Sequence, residues 1–436
     1  MTKKVLLISP YFPPHRAIGT KRAINFVQGV HGKENWEVIV LTSKPLNDNN
    51  DPSLLHQVPE GVITNYSFVG ALRPIIQFFS GSKKKTSKVT LAKPVSNPKV
   101  AKKKSSQKGS LTPFDQYLWD VGAGVRNGKK LIEKYRPDAI WVNADPWSGF
   151  LVADKLSRKY NIPWVADLRD PWTVFEKKMD LRPKLTAKII RWYERKFFTS
   201  ATKVVLNTET ACQAYTNAYP ESLQGKFTFI RNAFNENLLI GDQAENSTQK
   251  PFIFGYYGGF RKFVPSQYLL KGFSEFVKQN GLSPDQVRID VRGNVYSDFW
   301  DQVTEYQVHN YVTVEREVNL NETVSLLRSW DVLLLSAIHD FRWMISAKFY
   351  DYIYARKPIL AVSDNEELNQ LIETTKSGKW ANTDEPNKIS RMFEGFYNAG
   401  KTDLLSNEEL IKSFGFEHQA SLFRKELNEI TPAEKA

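Results

Sequence analysis

One pattern constrains this chain most, and it occurs twice. Short apolar runs, each followed by a loop and a stretch with helical spacing, succeed one another along the sequence. In the first half the runs are residues 4–9, Trp36–Thr42, Ala139–Asn143, Trp164–Asp167, Lys203–Asn207 and Phe227–Ile230. In the second they are Phe252–Tyr257, Val287–Arg292, Val312–Glu315, Val332–Ser336 and Ile359–Val362. Strands that alternate with helices are joined by crossovers, which favour a parallel sheet with helices on its faces. The pattern predicts an α/β chain with two doubly wound, Rossmann-like parallel sheets.

Length supports the duplication, because 436 residues exceed what one ordinary core serves. We place an amino-terminal domain at 1–235, with a basic insertion at about 81–113. Residues 235–250 are polar and unpatterned and read as a linker. A second domain follows at 251–404. Helices are expected at 365–373, 387–398 and 407–428. In the last, Phe414, Phe416, Ala420 and Phe423 share one face. Residues 405–436 form a terminal helical segment, for which packing back on the amino-terminal domain is one arrangement.

The single cysteine, Cys212, excludes an internal disulfide and fits a reducing compartment. No stretch approaches the roughly 20 apolar residues that cross a bilayer. Lys3-Lys4 before Val5–Ile8 mimics a signal peptide, but the apolar run is too short. The expectation is a cytoplasmic protein. Net charge is +13, yet residues 83–108 hold ten lysines and no acid, so the rest of the chain carries only +3. Apolar residues 69–80 adjoin that tract. Together they suit peripheral contact with an anionic membrane, at the inner face of the plasma membrane, where each lysine contributes about 1 kcal/mol. A solvated insertion without a partner is the bland alternative. Nucleic acid is not expected, since no aromatic residues interleave with the basic ones.

Candidate site residues fall at the ends of the expected strands, where ligands of such sheets bind. Gly19 lies in the loop after the first strand and permits close backbone approach. Asp167, Arg169 and Asp170 gather in Asp-Leu-Arg-Asp-Pro-Trp after another. Gly258-Gly259 end the strand that opens the second half, and Arg261 and Lys262 follow as cations for phosphate. Gly293-Asn294 end the next. Ser346 is an expected N-cap, and the helix it starts offers free amides to an anion. Asp351, one turn on, suits sugar hydroxyls. An ordinary surface helix carrying one acid remains the competing reading. The six histidines are scattered, and no spacing suggests a metal site.

Four segments carry a resemblance. VLLISPYFPPHRAIGTKRAINF, PDAIWVNADPWSGFLVADKLSRKYNIPWVADLRDPW, FGYYGGFRK and SAKFYDYIYARKPILAV, in that order, resemble glycosyltransferase family 4 of bacterial polysaccharide biosynthesis. The likeness spans nearly the whole chain outside about 69–113. It implies the GT-B fold, two Rossmann-like domains facing across a cleft. It also implies retaining transfer of a sugar from a nucleotide sugar, often a uridine diphosphate sugar, to a glycan or lipid-linked acceptor, with no metal and no other cofactor. Carried over, Gly19 lies between donor phosphate and acceptor, and Asp167, Arg169 and Asp170 face the cleft. Arg261 and Lys262 hold the diphosphate. Gly293 and Asn294 border the base, while Ser346, Ala347 and Lys348 present the helix start and Asp351 holds the ribose. Asn207 and Asn232 are weaker acceptor-side candidates. Many members carry Glu-x7-Glu here. Asp351 matches the second acid, but Trp343 takes the place of the first. A non-catalytic nucleotide-sugar or glycan-binding protein therefore stays open, and a nucleotide-sugar epimerase on the same fold is a further alternative.

Overall fold

A computed structural model of the chain describes residues 2–44, 50–69, 112–234, 251–260, 266–318, 320–338, 341–400 and 407–431. The linker 235–250, most of the apolar and lysine-rich stretch, and Arg261 and Lys262 lie outside them. Two compact units emerge, Met1–Val204 with Ile430–Ala436, and Val205–Glu429.

The first sheet has seven strands, β1 (Lys3–Ile8), β2 (Trp36–Leu41), β3 (Ile63–Asn65), β4 (Ala139–Ala144), β5 (Trp164–Leu168), β6 (Lys203–Leu206) and β7 (Phe227–Phe229), in the order β3-β2-β1-β4-β5-β6-β7. β1 lies parallel between β2 and β4, with Ile8 opposite both Leu41 and Val142. The order reverses there, which opens a crevice at the strands' carboxyl ends. Helices α1 (Ile18–Val30), α2 (Val121–Tyr135), α3 (Ser148–Tyr160), α4 (Glu176–Asp180), α5 (Lys184–Ser200), α6 (Glu209–Ala218) and α7 (Glu221–Gln224) connect these strands. Val5 through Ile8 are wholly buried, as are Trp141 and Trp164. That is the burial of a strand covered on both faces, and it explains the unbroken apolar runs.

The second sheet has six strands, β8 (Phe252–Tyr257), β9 (Val287–Arg292), β10 (Val312–Glu315), β11 (Val332–Ala337), β12 (Ile359–Ser363) and β13 (Gly378–Ala381), in the order β10-β9-β8-β11-β12-β13. Its helices are α8 (Gln267–Gln279), α9 (Ser297–Glu305), α10 (Leu320–Ser329), α11 (Ala347–Ala355), α12 (Glu366–Thr375), α13 (Pro386–Ala399), α14 (Glu408–Lys412) and α15 (Phe416–Ile430). Successive side chains of a strand point to opposite faces. Phe254, Tyr256, Leu334, Leu360 and Val362 therefore join Phe273, Phe276 and Phe393 in one core, while Leu333, Leu335, Ile359 and Ala361 join Phe349, Tyr352 and Ile353 in the other. Each such leucine, isoleucine, valine or phenylalanine contributes about 1.5–3 kcal/mol on burial.

α2 starts at Val121, directly after a 3₁₀ turn at Leu118–Asp120. Some elements differ from the sequence reading. The helix expected over 407–428 is two, α14 and α15. Phe414 between them turns into the core, and its carbonyl accepts the Phe234 amide at 3.2 Å. β13 was not expected, because Gly-Lys-Trp-Ala shows neither alternation nor an apolar run. It pairs with β12 so closely that a Cβ on Gly378 would lie 2.0 Å from the Ile359 carbonyl oxygen.

Candidate functional site

In the second unit, the turns that end β8 and β9 press together. Gly258 adopts φ +96°, a left-handed conformation that glycine reaches without steric cost. A Cβ on Gly293 would lie 2.4 Å from the Gly258 carbonyl, and one on Gly259 would lie 2.8 Å from the Asn294 carbonyl oxygen. Glycine at these positions is what lets the two turns pack backbone against backbone at the strand ends.

α11 brings the charge to this place. Ser346 is its N-cap, and its hydroxyl accepts the Lys348 amide at 3.4 Å. Ala347 and Lys348 form the first turn, where amides lack helical partners and carry partial positive charge. Lys348 reaches back over β8. A Cβ on Gly258 would meet its Cε at 2.6 Å. Its ammonium donates to the Tyr256 hydroxyl at 2.8 Å and sits 4.5 Å from that ring's centre. Phe260 stacks on Tyr256, centroids 3.7 Å apart. The lysine is half-buried and held by an aromatic wall. Asp351 lies one turn further along α11, also half-buried. Gly258, Gly259, Gly293, Asn294, Ser346, Ala347 and Lys348 therefore form one cluster, as the strand ends and the helix start require. Trp343, at the position of the missing first acid, packs under the Arg342 guanidinium at 4.5 Å and accepts the Thr208 hydroxyl on its carbonyl at 2.9 Å.

Arg231 and Glu367 join other parts of the same unit. Glu367 pairs with Arg231 and accepts the Glu209 and Thr210 amides at 3.0 and 2.9 Å. Asn207 is buried, and its Oδ1 has no bonding partner among the described residues. Asn232 is half-buried in the loop after β7.

In the first unit, Gly19 lies in the first turn of α1, beside the carboxyl end of β1. A Cβ there would stand 3.0 Å from the Tyr11 ring and 3.1 Å from the Arg169 guanidinium. Arg169 pairs with Asp170 at 2.8 Å, and its amide donates to the Ala144 carbonyl at 2.8 Å. Burial works against its charge, but Asp170 and Asp145 outweigh it and the Arg169 pKa is raised. Burial, with Asp145 and Asp115, likewise raises the Tyr11 hydroxyl. Gly19, Arg169 and Asp170 come together, with Tyr11 and Asp145 added by the fold.

Asp167 is placed differently from the sequence expectation. It is wholly buried, and its carboxylate accepts Arg22 at 2.6 and 2.9 Å, Trp141 Nε1 at 3.2 Å and Asn143 Nδ2 at 3.0 Å. It lies within β5, on the sheet face met by Arg22 of α1, rather than beyond the strand's end. Its work is to hold Arg22 and the end of β4. Sequence reasoning missed Arg22, since an arginine in a helix reads as a surface residue, and missed Tyr256, whose role depends on a lysine 92 positions away.

No protein family and no curated protein matches the sequence. Solved structures match it closely in shape. Sucrose-phosphate synthase from Thermosynechococcus elongatus shares 13% identity over 98% of this chain and 99% of its own, with a TM-score of 0.63. HepE from Anabaena, in complex with UDP-glucose, shares 13% over 98% and 99%, at 0.61. A Listeria monocytogenes protein assigned as a UDP-N-acetylglucosamine 2-epimerase shares 10% over 98% of each, at 0.55. The chain has the α/β architecture of two parallel sheets found in GT-B glycosyltransferases, and its structural neighbours are enzymes of that class together with epimerases.

Proposed function

We propose that the protein is a retaining, family 4-like hexosyltransferase that moves a sugar from a uridine diphosphate sugar to a lipid-linked or surface-polysaccharide acceptor. The observation that carries this reading is the cluster at the ends of β8 and β9. Glycine backbones, the positive end of the α11 dipole and the Lys348 ammonium converge there, and together they suit the pyrophosphate of a nucleotide sugar. Asp351 would hold the ribose. Arg261 and Lys262, next along the chain from Gly259 and Phe260, would add charge to the same phosphates.

In this mechanism the acceptor hydroxyl attacks the anomeric carbon as the bond to the diphosphate oxygen breaks. The departing phosphate takes the acceptor proton. No protein nucleophile is needed, and catalysis rests on positioning and on stabilising the leaving charge. The side chains that supply that charge make a metal unnecessary. On the first unit, Arg169 and Asp170 beside Gly19 would handle the acceptor. The lysine-rich segment would bring the enzyme to an anionic membrane face.

The test is binding of uridine diphosphate, read by thermal shift and calorimetry. A bound ligand raises the melting temperature by mass action. Lys348→Met is expected to weaken binding at least tenfold while leaving the melting temperature of the free protein nearly unchanged. Equal affinity in both proteins would remove Lys348 from the site. An epimerase is the second reading, favoured by the likeness to the Listeria structure.

A further inference from the structure

Among the described residues, four of the seven large apolar side chains that stand in water belong to two adjoining stretches of the first unit. Leu185 is 70% exposed, Trp192 59%, Leu181 48%, and Trp119 68%. Three of these belong to α5 and the turn before it. Leu185, Lys188 and Trp192 recur at spacings of three and four, which sets them on one helical face. Lys184, Arg191 and Arg195 are exposed around them. The opposite face is buried through Thr186, Ala187, Ile190, Phe197 and Phe198.

Charge on this helix is sorted. α5 carries five basic residues and a single acid. That acid, Glu194, is on the buried face, where it accepts the Thr173 amide at 3.0 Å and the Thr173 hydroxyl. The outer face has no carboxylate of its own. The nearest exposed acids in sequence are Glu176 and Asp180 on α4. Lys196 stands 5.6 Å from the Trp192 ring centre and 3.6 Å from Asp154, so the tryptophan is propped by a side chain that is itself anchored. Trp119 belongs to the same region of the unit. Phe114, on its chain segment, packs against Tyr193 and Phe197 of α5 at 4.9 and 6.3 Å, and the Thr112 carbonyl accepts Arg182 at 2.8 Å.

We infer that the outer face of α5 is a lipid-docking surface, which lies in the headgroup region of an anionic bilayer with Leu185 and Trp192 inserted. A helix with an apolar ridge, flanking lysines and arginines and a firmly packed reverse side has the form of an interfacial helix. Tryptophan suits that depth because its ring is apolar and its N–H stays near water. The basic residues supply the complement to phosphate headgroups. A globular partner would be met by a ridge with a ring of like charge, a poor match unless that partner were strongly acidic. The inference extends the membrane reading to a folded surface distinct from the lysine-rich segment, and it does not depend on sugar transfer.

The experiment is sedimentation of the full chain with vesicles of phosphatidylcholine alone and with 30% phosphatidylglycerol. Four proteins are compared: the natural chain, the chain lacking residues 83–108, Leu185→Ser with Trp192→Ser, and Lys188→Glu with Arg191→Glu. All changed side chains are exposed, so melting temperatures should agree within a few degrees. Both double variants are expected to lose at least tenfold in affinity for anionic vesicles with the lysine-rich segment still present. The shortened chain is expected to retain measurable binding that the same substitutions then abolish. Unchanged binding by the double variants would overturn the proposal, and so would natural-chain binding that is equal on neutral vesicles. Dimerisation without lipid, lost on the same substitutions while vesicle binding persists, would assign the face to a second copy of the chain and overturn it too.

Discussion

Asp167 and Lys348 show how a charged residue's surroundings decide its task. Asp167 is closed in by Arg22, Trp141 and Asn143, with no surface left for a ligand. Removing one partner of a buried ion pair strands the other charge and costs about 3–5 kcal/mol. Asp167→Asn should therefore lower unfolding stability by about that amount in urea titrations, while uridine diphosphate affinity of the folded protein stays within about twofold. A loss of affinity without loss of stability would return Asp167 to the ligand site. Lys348 is the opposite case, half-buried with its ammonium on a tyrosine hydroxyl that an incoming phosphate can replace. His15 adds a pH signature. Its ring is buried, it meets Tyr11 edge-on at 4.9 Å, and its Nδ1 has no bonding partner among the described residues. Burial lowers its pKa below the ordinary histidine value. A lowered folded-state value means that the unfolded chain binds the proton more readily. The contribution to stability is then full above about pH 6.5 and is lost as pH falls through the folded value. His15→Gln should therefore show a smaller fall in melting temperature from pH 7 to pH 5 than the natural chain. An identical fall in both would exclude His15 as the source.

At the scale of elements, helix starts and strand ends carry most of the function and some of the stability. The start of α11 serves the glycine turns. The start of α6 is served in turn by Glu367, from the first turn of α12, which accepts two of its free amides and pairs with Arg231. One carboxylate near the positive end of a helix gains from the dipole as well as from the hydrogen bonds. Glu367→Gln keeps the shape, removes the charge and leaves Arg231 paired with Glu209 at 3.3 Å. The expected cost is about 2–3 kcal/mol in chemical denaturation, with a lower melting temperature. A change below about 0.5 kcal/mol would show that Glu209 replaces it. Elements were legible where their periodicity was strong. The break at Phe414 escaped because the residue fits a helical stripe equally well. Only its packing against Phe349 and Tyr350, 6.3 and 6.0 Å away, pulls it out of the helix. β13 escaped because an edge strand of four residues needs a neighbour more than it needs an apolar sequence.

At the scale of the whole molecule, the fold is shared with enzymes that transfer sugars and with enzymes that epimerise them, so architecture alone does not choose. Donor turnover does. A transferase consumes a uridine diphosphate sugar in proportion to an added acceptor, whereas an epimerase converts it with none, and NMR of the sugar distinguishes the products. We expect acceptor-dependent consumption, undiminished by EDTA. Acceptor-free conversion to an epimer would overturn the transferase reading, and loss of activity on chelation would overturn the metal-free one.

What the sequence determined by itself was everything written in short-range pattern. Apolar runs between helices dictated two parallel sheets, and glycines after Tyr257 and Arg292, with a capping serine before Lys348, marked strand ends and a helix start. Those signals are local, because backbone geometry and hydrogen bonding act over a few residues. The tertiary structure decided which charges face a ligand and which hold the fold. Asp167 and Arg169 are two residues apart, yet one is sealed under Arg22 and the other stands beside Gly19. The task of each carboxylate or ammonium follows from the partners and the water around it, and those are set by residues as far as 145 positions away.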